Sequence, residues 1–330
     1  MKKVAVIFTG GTISMKLDEN IQAAIPALSP EELLTMLMGI KKMAEIEAIH
    51  FGSFPGPHIT PQKMLELSKL TAKIIKRPDI TGVVVTHGTD NMEESAYFLD
   101  LILDEKKPVV FTGAMRNSSE LGYDGPSNLA AAIATVCARE SMDKGVLVVM
   151  NNQVYAADEV TKTHTLALDT FQSMDFGPLG IVDQDKVIYY RERKNKKHIR
   201  TDKIEASVGL IKVASGMDSS LIKRLIDLGM KGIVLEGMGR GNIPPDMVEG
   251  VKYAISKNIP VVLVSRCPKG RVLDTYGYPG GGKELRNLGV ILGDNLSGQK
   301  ARIKLMLILG LTKDMDEIKS LFEEGLYTTK

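Results

Sequence analysis

Near the start of the chain runs Val4-Ala-Val-Ile-Phe-Thr-Gly-Gly-Thr-Ile-Ser14. Its five unbroken apolar residues predict a strand buried on both faces, the pattern of a parallel sheet covered by helices. The pair Gly10-Gly11 lets the backbone turn sharply as it leaves the sheet, and it leaves amide N–H groups uncovered. A hydroxyl just past such a turn sits at a strand's carboxyl end, where open α/β sheets bind their ligands. Thr12 is therefore the first candidate nucleophile. Taken alone, the segment reads more simply as a glycine strand exit in which the threonine fills space.

Working outward, the same pattern returns. Gly82-Val-Val-Val85 is a second buried strand that discharges into Thr86-His-Gly-Thr-Asp90, Pro108–Thr112 a third that ends in Gly113-Ala-Met-Arg116, and Val146–Met150 a further one. Helices separate them. One starts at Ser29 (N-cap), Pro30 and Glu32, and another at Thr60-Pro61 with Met64, Leu67, Leu70 and Ile74 on one face. A third carries Met92, Ala96, Leu99 and Leu103, and a fourth opens at Asp124-Gly-Pro126. Residues 45–51 read as a short strand ending at Gly52-Ser53, and Pro55, Gly56 and Pro57 enforce a loop. Residues 15–24 show no clear period and read as a polar, mobile lid beside Thr12. Residues 151–180 read as a hairpin with an irregular excursion.

The charged run at 191–203 marks the best boundary. Beyond it come strands at Val208–Ala214, Gly232–Leu235 and Pro260–Val264, with helices near 218–228, 244–257, 298–309 and 313–324. The expected fold is α/β: a larger N-terminal domain, residues 1–188, whose mostly parallel sheet is covered by helices. A charged linker at 189–206 leads to a smaller C-terminal α/β domain, 207–330.

Composition narrows the function. The 330 residues carry a net charge of +2, with 44% hydrophobic and 25% charged residues, which gives no reason to expect a nucleic-acid surface. The one basic run, Arg191–His198, contains a glutamate and no aromatic residue and reads as a solvated linker. No apolar window is long enough to span a membrane, and the first apolar run is too short for a signal peptide. The only cysteines, Cys137 and Cys267, have no metal-ligand spacing. A reduced, cytoplasmic protein is expected.

Two strands now end alike. Thr12 and Thr89 each follow glycine at a strand's carboxyl end, and in a parallel sheet those ends share one edge. Two hydroxyls can therefore face one cleft. Asp90 is expected to cap the helix that starts after it, a role compatible with ligand binding at the same place.

These segments resemble a known family. Phe8-Thr-Gly-Gly-Thr-Ile13 and Thr86-His-Gly-Thr-Asp90 are similar to the two signature segments of the bacterial-type asparaginase/glutaminase family. Gly113-Ala-Met-Arg116 with Asp124-Gly-Pro126, Val160-Thr-Lys-Thr163, Phe176-Gly-Pro-Leu-Gly180, Gly239-Arg-Gly-Asn242 and Gln299-Lys-Ala-Arg302 resemble further family segments in the same order. The resemblance implies hydrolysis of L-asparagine to L-aspartate and ammonia, without metal or organic cofactor. Thr12 would attack the side-chain amide carbon to give an acyl-enzyme. Thr89, Asp90 and Lys162 would form a second constellation, with Lys162 desolvated so that it can act as a base. The backbone N–H of Thr89 would serve the oxyanion, Asp90 the substrate's α-ammonium and Ser53 its α-carboxylate.

The family also implies a homotetramer, built as a pair of dimers, with sites completed by a neighbour. Asn242 matches a position that reaches the substrate's amino group in some members; equally, it reads as a cap for the helix at Pro244-Pro245. Glu284 lies near a further such position. His87 and Arg116 read as structural, pinning loops. One departure is plain. Many members carry a tyrosine in the loop after the first threonine, and here the first tyrosine is Tyr97.

Glutamine differs from asparagine by one methylene, worth about 1–3 kcal/mol in a pocket, so weaker glutaminase activity is expected. Two alternatives stand beside the asparaginase reading. One is an asparagine-binding regulator with weak or lost turnover, supported by the missing tyrosine. The other is the ammonia-supplying glutaminase of a transfer-RNA amidotransferase, whose members carry an added N-terminal domain, whereas this chain opens on the catalytic strand.

Overall fold

In the computed structural model, residues 2–37, 43–193 and 198–323 are described. The chain divides into two compact units, Met1–His198 and Ile199–Lys330. Val4, Ala5, Val6 and Ile7 are completely buried. They form the middle of β1 (Lys3–Gly10), and burial of each large aliphatic side chain contributes about 1.5–3 kcal/mol. The segment quoted first is thus fixed by the core on both faces of the sheet.

After β1 and a single 3-10 turn at Thr12–Ser14 come β2 (Met15–Asp18) and β3 (Ala23–Pro26), paired antiparallel. The segment expected to lack pattern is therefore a hairpin. Asp18 Oδ1 accepts from the N–H groups of Asn20 and Ile21, and Gln22 takes a φ of 51°. This local Asx closure has no hydrophobic period to announce it. α1 (Pro30–Thr35) has the expected reciprocal cap: Ser29 Oγ accepts from Glu32 N–H, and Glu32 accepts from Ser29 N–H.

β4 (Glu45–Phe54) continues through Gly52 and Ser53 instead of ending there. The extension is held because Phe54 pairs with Gly10 and its carbonyl accepts the Gly11 N–H at 3.0 Å. Next come α2 (Pro61–Ile75), β5 (Gly82–Thr86), α3 (Met92–Ile102), β6 (Val109–Thr112), α4 (Gly125–Cys137) and β7 (Val146–Met150). β8 (Gln153–Ala156) returns antiparallel to β7 across Asn151 and Asn152, whose φ of 49° and 60° suit a tight primed turn. β9 (Val160–Lys162) and β10 (Phe171–Ser173) make a small hairpin, and β11 (Gly180–Asp183) and β12 (Lys186–Tyr189) return to the main sheet.

That sheet has eight strands in the order β12-β11-β8-β7-β6-β5-β1-β4. β4, β1, β5, β6 and β7 run parallel, so their carboxyl ends lie on one edge. The expected N-terminal architecture is present.

The basic run departs from the solvated linker expected of it. The Arg193 side chain is 5% exposed and pairs with Asp100 and with Asp158, the latter at 3.0 Å. Arg191 bonds Glu159 and the carbonyls of Gly177 and Pro178. Acids on distant segments converge to neutralise these arginines, which is the condition for burying a charge. Residues 194–197 of the run, and residue 324 of the last expected helix, lie outside the described residues.

The second unit contains β13 (Val208–Lys212), α5 (Ser220–Asp227), β14 (Gly232–Gly237), α6 (Val248–Ser256), β15 (Val261–Ser265), α7 (Gly282–Asn287), β16 (Ile291–Leu292), α8 (Gly298–Leu311) and α9 (Met315–Glu323). Its four strands are all parallel, in the order β13-β14-β15-β16. The sequence reading lacked α7 and β16, which are too short to show a period. Among the described residues no helix is long and apolar enough to cross a membrane.

Candidate active site

Three chain exits meet at the carboxyl edge of the eight-stranded sheet. Gly11 has a φ of +83°, and a Cβ there would lie 2.4 Å from Gly88 N. A Cβ on Gly10, at φ +102°, would lie 2.4 Å from Phe54 N, and one on Gly88 would lie 2.7 Å from Gly56 Cα. These contacts are backbone against backbone, which only glycine permits. The exits of β1, β4 and β5 are thereby packed together, and Thr12, Ser53 and Thr89 are brought to one edge.

Thr12 is partly exposed, and its hydroxyl has no hydrogen-bond partner among the described residues. The turn carrying it is well held. Ser14 donates from both N–H and Oγ to Gly11 O, each at 3.0 Å, and the Ile13 side chain is completely buried. A free hydroxyl on a fixed turn is what a nucleophile requires.

Beside it, Lys162 Nζ donates to Thr89 Oγ1 at 2.9 Å and to Asp90 Oδ1 at 2.8 Å. Thr89 is 5% exposed, and the side chains of Lys162 and Asp90 are 15% and 65% exposed. Lys162 is thus largely withdrawn from water. Asp90 is not the helix cap expected from the sequence: Asn91 takes the N-cap position of α3, with Met92 the first helical residue. Moving the cap one residue on leaves the Asp90 carboxylate to Lys162 and to solvent.

His87 and Arg116 pin loops, as read from the sequence. Arg116 donates to the carbonyls of Leu121 and Gly122. His87 is completely buried, its Nδ1 lies 2.8 Å from Gly88 O, and its Nε2 has no partner among the described residues. Burial lowers its pKa from 6.5 to about 4. An unfolded histidine takes up a proton near pH 6.5 while the folded one stays neutral to about pH 4. The unfolded state therefore binds the extra proton in that window, and stability is lost as pH falls through it, by about 3 kcal/mol at most. Urea unfolding of wild type and His87→Gln at pH 6.5 and pH 4.5 should show a steeper acid loss in wild type; equal slopes would refute the assignment.

Ser53 is exposed near the end of β4, one residue before the carbonyl that anchors Gly11. Asn242 belongs to the second unit. Its Nδ2 lies 3.5 Å from Met238 O and its Oδ1 is buried without a partner among the described residues. It does not cap the Pro244-Pro245 turn, whose N-cap is Pro244 itself. Glu284, in the first turn of α7, accepts at Oε2 from the Gly280 N–H just before that helix, at 2.6 Å. Sequence reasoning missed one neighbour of the Thr12 turn, Tyr123, whose hydroxyl donates to the carbonyl of Ile13.

Two family models match the chain: "Asparaginase, N-terminal" over residues 3–195, and "Glutaminase/Asparaginase C-terminal domain" over residues 207–322. An L-asparaginase of Bacillus licheniformis is 36% identical over 313 residues, covering 95% of this chain and 97% of that one. A component of the glutamyl-tRNA(Gln) amidotransferase from Pyrococcus furiosus is 33% identical, covering 96% of this chain and 74% of that protein. Among solved structures, a probable cytoplasmic L-asparaginase from Campylobacter jejuni superimposes with a TM-score of 0.88 at 34% identity, covering 98% of this chain and 99% of that one.

Proposed function

The chain belongs to the asparaginase/glutaminase family, and we propose that it hydrolyses L-asparagine to L-aspartate and ammonia through an acyl-enzyme on Thr12. The observation that carries this reading is the joint hold of Lys162 on Thr89 and Asp90, beside the turn that presents a free Thr12 hydroxyl. Thr12 Oγ forms a bond to the amide carbon, its proton moves to the departing nitrogen, and ammonia leaves. Water then adds to the ester carbon and releases aspartate and the Thr12 hydroxyl. Lys162, held on the Thr89 hydroxyl, is the base of this reading and takes the proton of Thr89 or of a water held by Thr89. The Thr89 N–H faces the developing oxyanion, Asp90 takes the α-ammonium and Ser53 the α-carboxylate.

Ammonia release with asparagine, with glutamine and without substrate tests the reading. We expect turnover of asparagine and slower turnover of glutamine. If asparagine raised the melting temperature but released no ammonia, the enzyme reading would fall. A glutaminase active only alongside charged transfer RNA would favour the amidotransferase reading, to which the Pyrococcus relative lends support.

The active form is further proposed to be a homotetramer built from dimers, in which Asn242 completes a neighbour's site. The orphaned Asn242 Oδ1 supports this, since a buried acceptor without a partner is costly alone. Light scattering coupled to a sizing column should give about four chains per particle; a fully active monomer would overturn the shared site. The protein is proposed to be cytoplasmic, in keeping with its resemblance to the Campylobacter enzyme and with two unpaired cysteines. Cell fractionation would test the location.

A further inference from the structure

We propose that Tyr123 is a positioning residue that holds the Thr12 turn in register for attack by hydrogen bonding to the carbonyl of Ile13. The proposal rests on the reading of Thr12 as nucleophile. Tyr123 Oη donates to Ile13 O at 2.5 Å, although 110 residues separate the two in sequence. The bond lands next to the nucleophile, on a residue whose side chain is locked in the core. The carbonyl therefore cannot swing to another partner without uprooting Ile13.

The site for this ring is built. A Cβ at Gly125 would lie 2.4 Å from both Cζ and Oη of Tyr123, so glycine is needed there for the ring to lie where it does. The ring packs against the core cluster that contains Phe8, Ile13 and Ala114. The backbone beside Tyr123 is fixed by Asp124, which accepts from the N–H groups of Met115 and Arg116 and from Asn128 Nδ2. Farther along the same loop, Ser118 donates from N–H and Oγ to Met15 O, and Ser119 Oγ accepts from Leu17 N–H. The loop thus grips alternate residues, Ile13, Met15 and Leu17, as one strand grips the edge of another.

Burial, with the Asp124 charge beside it, pushes the phenol's pKa up. Tyr123 therefore stays a donor and does not shuttle protons. The segment after Thr12 holds no tyrosine, and here a phenol arrives from a different loop and fixes backbone instead of touching the nucleophile's hydroxyl. Small misplacement of a nucleophile is expensive in rate: about 1 Å can cost about 100-fold.

The test is Tyr123→Phe, which keeps the ring and removes the donor. The expected result is a kcat lower by about 10- to 100-fold, with KM and the shape of the pH profile unchanged and the melting temperature lowered only by the few degrees that loss of one buried hydrogen bond costs. Wild-type kcat would overturn the proposal. So would a loss that follows partial unfolding at the assay temperature, seen as a melting temperature lowered well beyond what one missing hydrogen bond costs, which marks a merely structural role, or a shifted basic limb, which marks proton transfer. Wild type and Thr12→Ala are assayed alongside. If wild type releases no ammonia, or Thr12→Ala still does, the nucleophile reading itself fails; if both behave as expected, Tyr123→Phe judges the positioning claim alone.

Discussion

Thr12→Ala is expected to abolish ammonia release, with a loss of at least about 10³-fold, while the fold stays intact. The size of the effect follows from the chemistry. A threonine that forms the acyl-enzyme has no substitute, because without its oxygen the covalent intermediate cannot form. The harmlessness to folding follows from the geometry. The Thr12 hydroxyl bonds to nothing among the described residues and is partly exposed, whereas the turn is held by Gly11, Ile13 and Ser14. Surface truncations of this kind usually change stability by less than about 0.5 kcal/mol. Acid quenching of wild type during turnover should trap an aspartyl ester on the peptide containing Thr12, and Thr12→Ala should give none. Substantial turnover by the alanine variant, or an ester found on Thr89 instead, would move the nucleophile away from Thr12.

Much of this site can be read from the chain because backbone constraints leave marks in sequence. A buried parallel strand must be apolar throughout, and its exit must be glycine where another backbone comes within van der Waals range. Val4–Phe8 with Gly10-Gly11, and Val83–Val85 with Gly88, show both marks. Side-chain meetings across long separations leave none. The bond from Lys162 to Asp90 spans 72 residues and the bond from Tyr123 to Ile13 spans 110. Lys162 was reachable only through the family resemblance. Tyr123 was not reachable at all, since a tyrosine that bonds to a backbone carbonyl needs no partner residue of a particular type. The same blindness explains Arg193. Its local neighbours are charged and suggest solvent, but Asp100 and Asp158 come from elsewhere to bury it. Asp90 shows a subtler miss: both Asp90 and Asn91 suit a helix cap, and one residue of phase decides which is left for chemistry.

Lys162→Met should lower kcat by about 10²- to 10⁴-fold, the range expected for losing a general acid–base group. Methionine keeps most of the volume and the apolar stem, so the 15% exposed pocket stays filled. The released Asp90 side chain is 65% exposed and is solvated by water, so the broken ion pair should cost no more than about 1 kcal/mol of stability. Thr89→Ala should lose a similar amount of activity if, as proposed, Lys162 acts through the hydroxyl it holds at 2.9 Å. If the two side chains form one device, their losses do not add, and the double variant should be no worse than the more damaged single one within about tenfold. Lys162→Arg separates the two parts a lysine could play. An arginine preserves the charge opposite Asp90 but holds its proton at any pH of interest. If Lys162 works by accepting a proton, Lys162→Arg should be as slow as Lys162→Met. If it works only by holding Asp90, arginine should restore most of the rate, and the base assignment would have to pass to another group at this edge of the sheet.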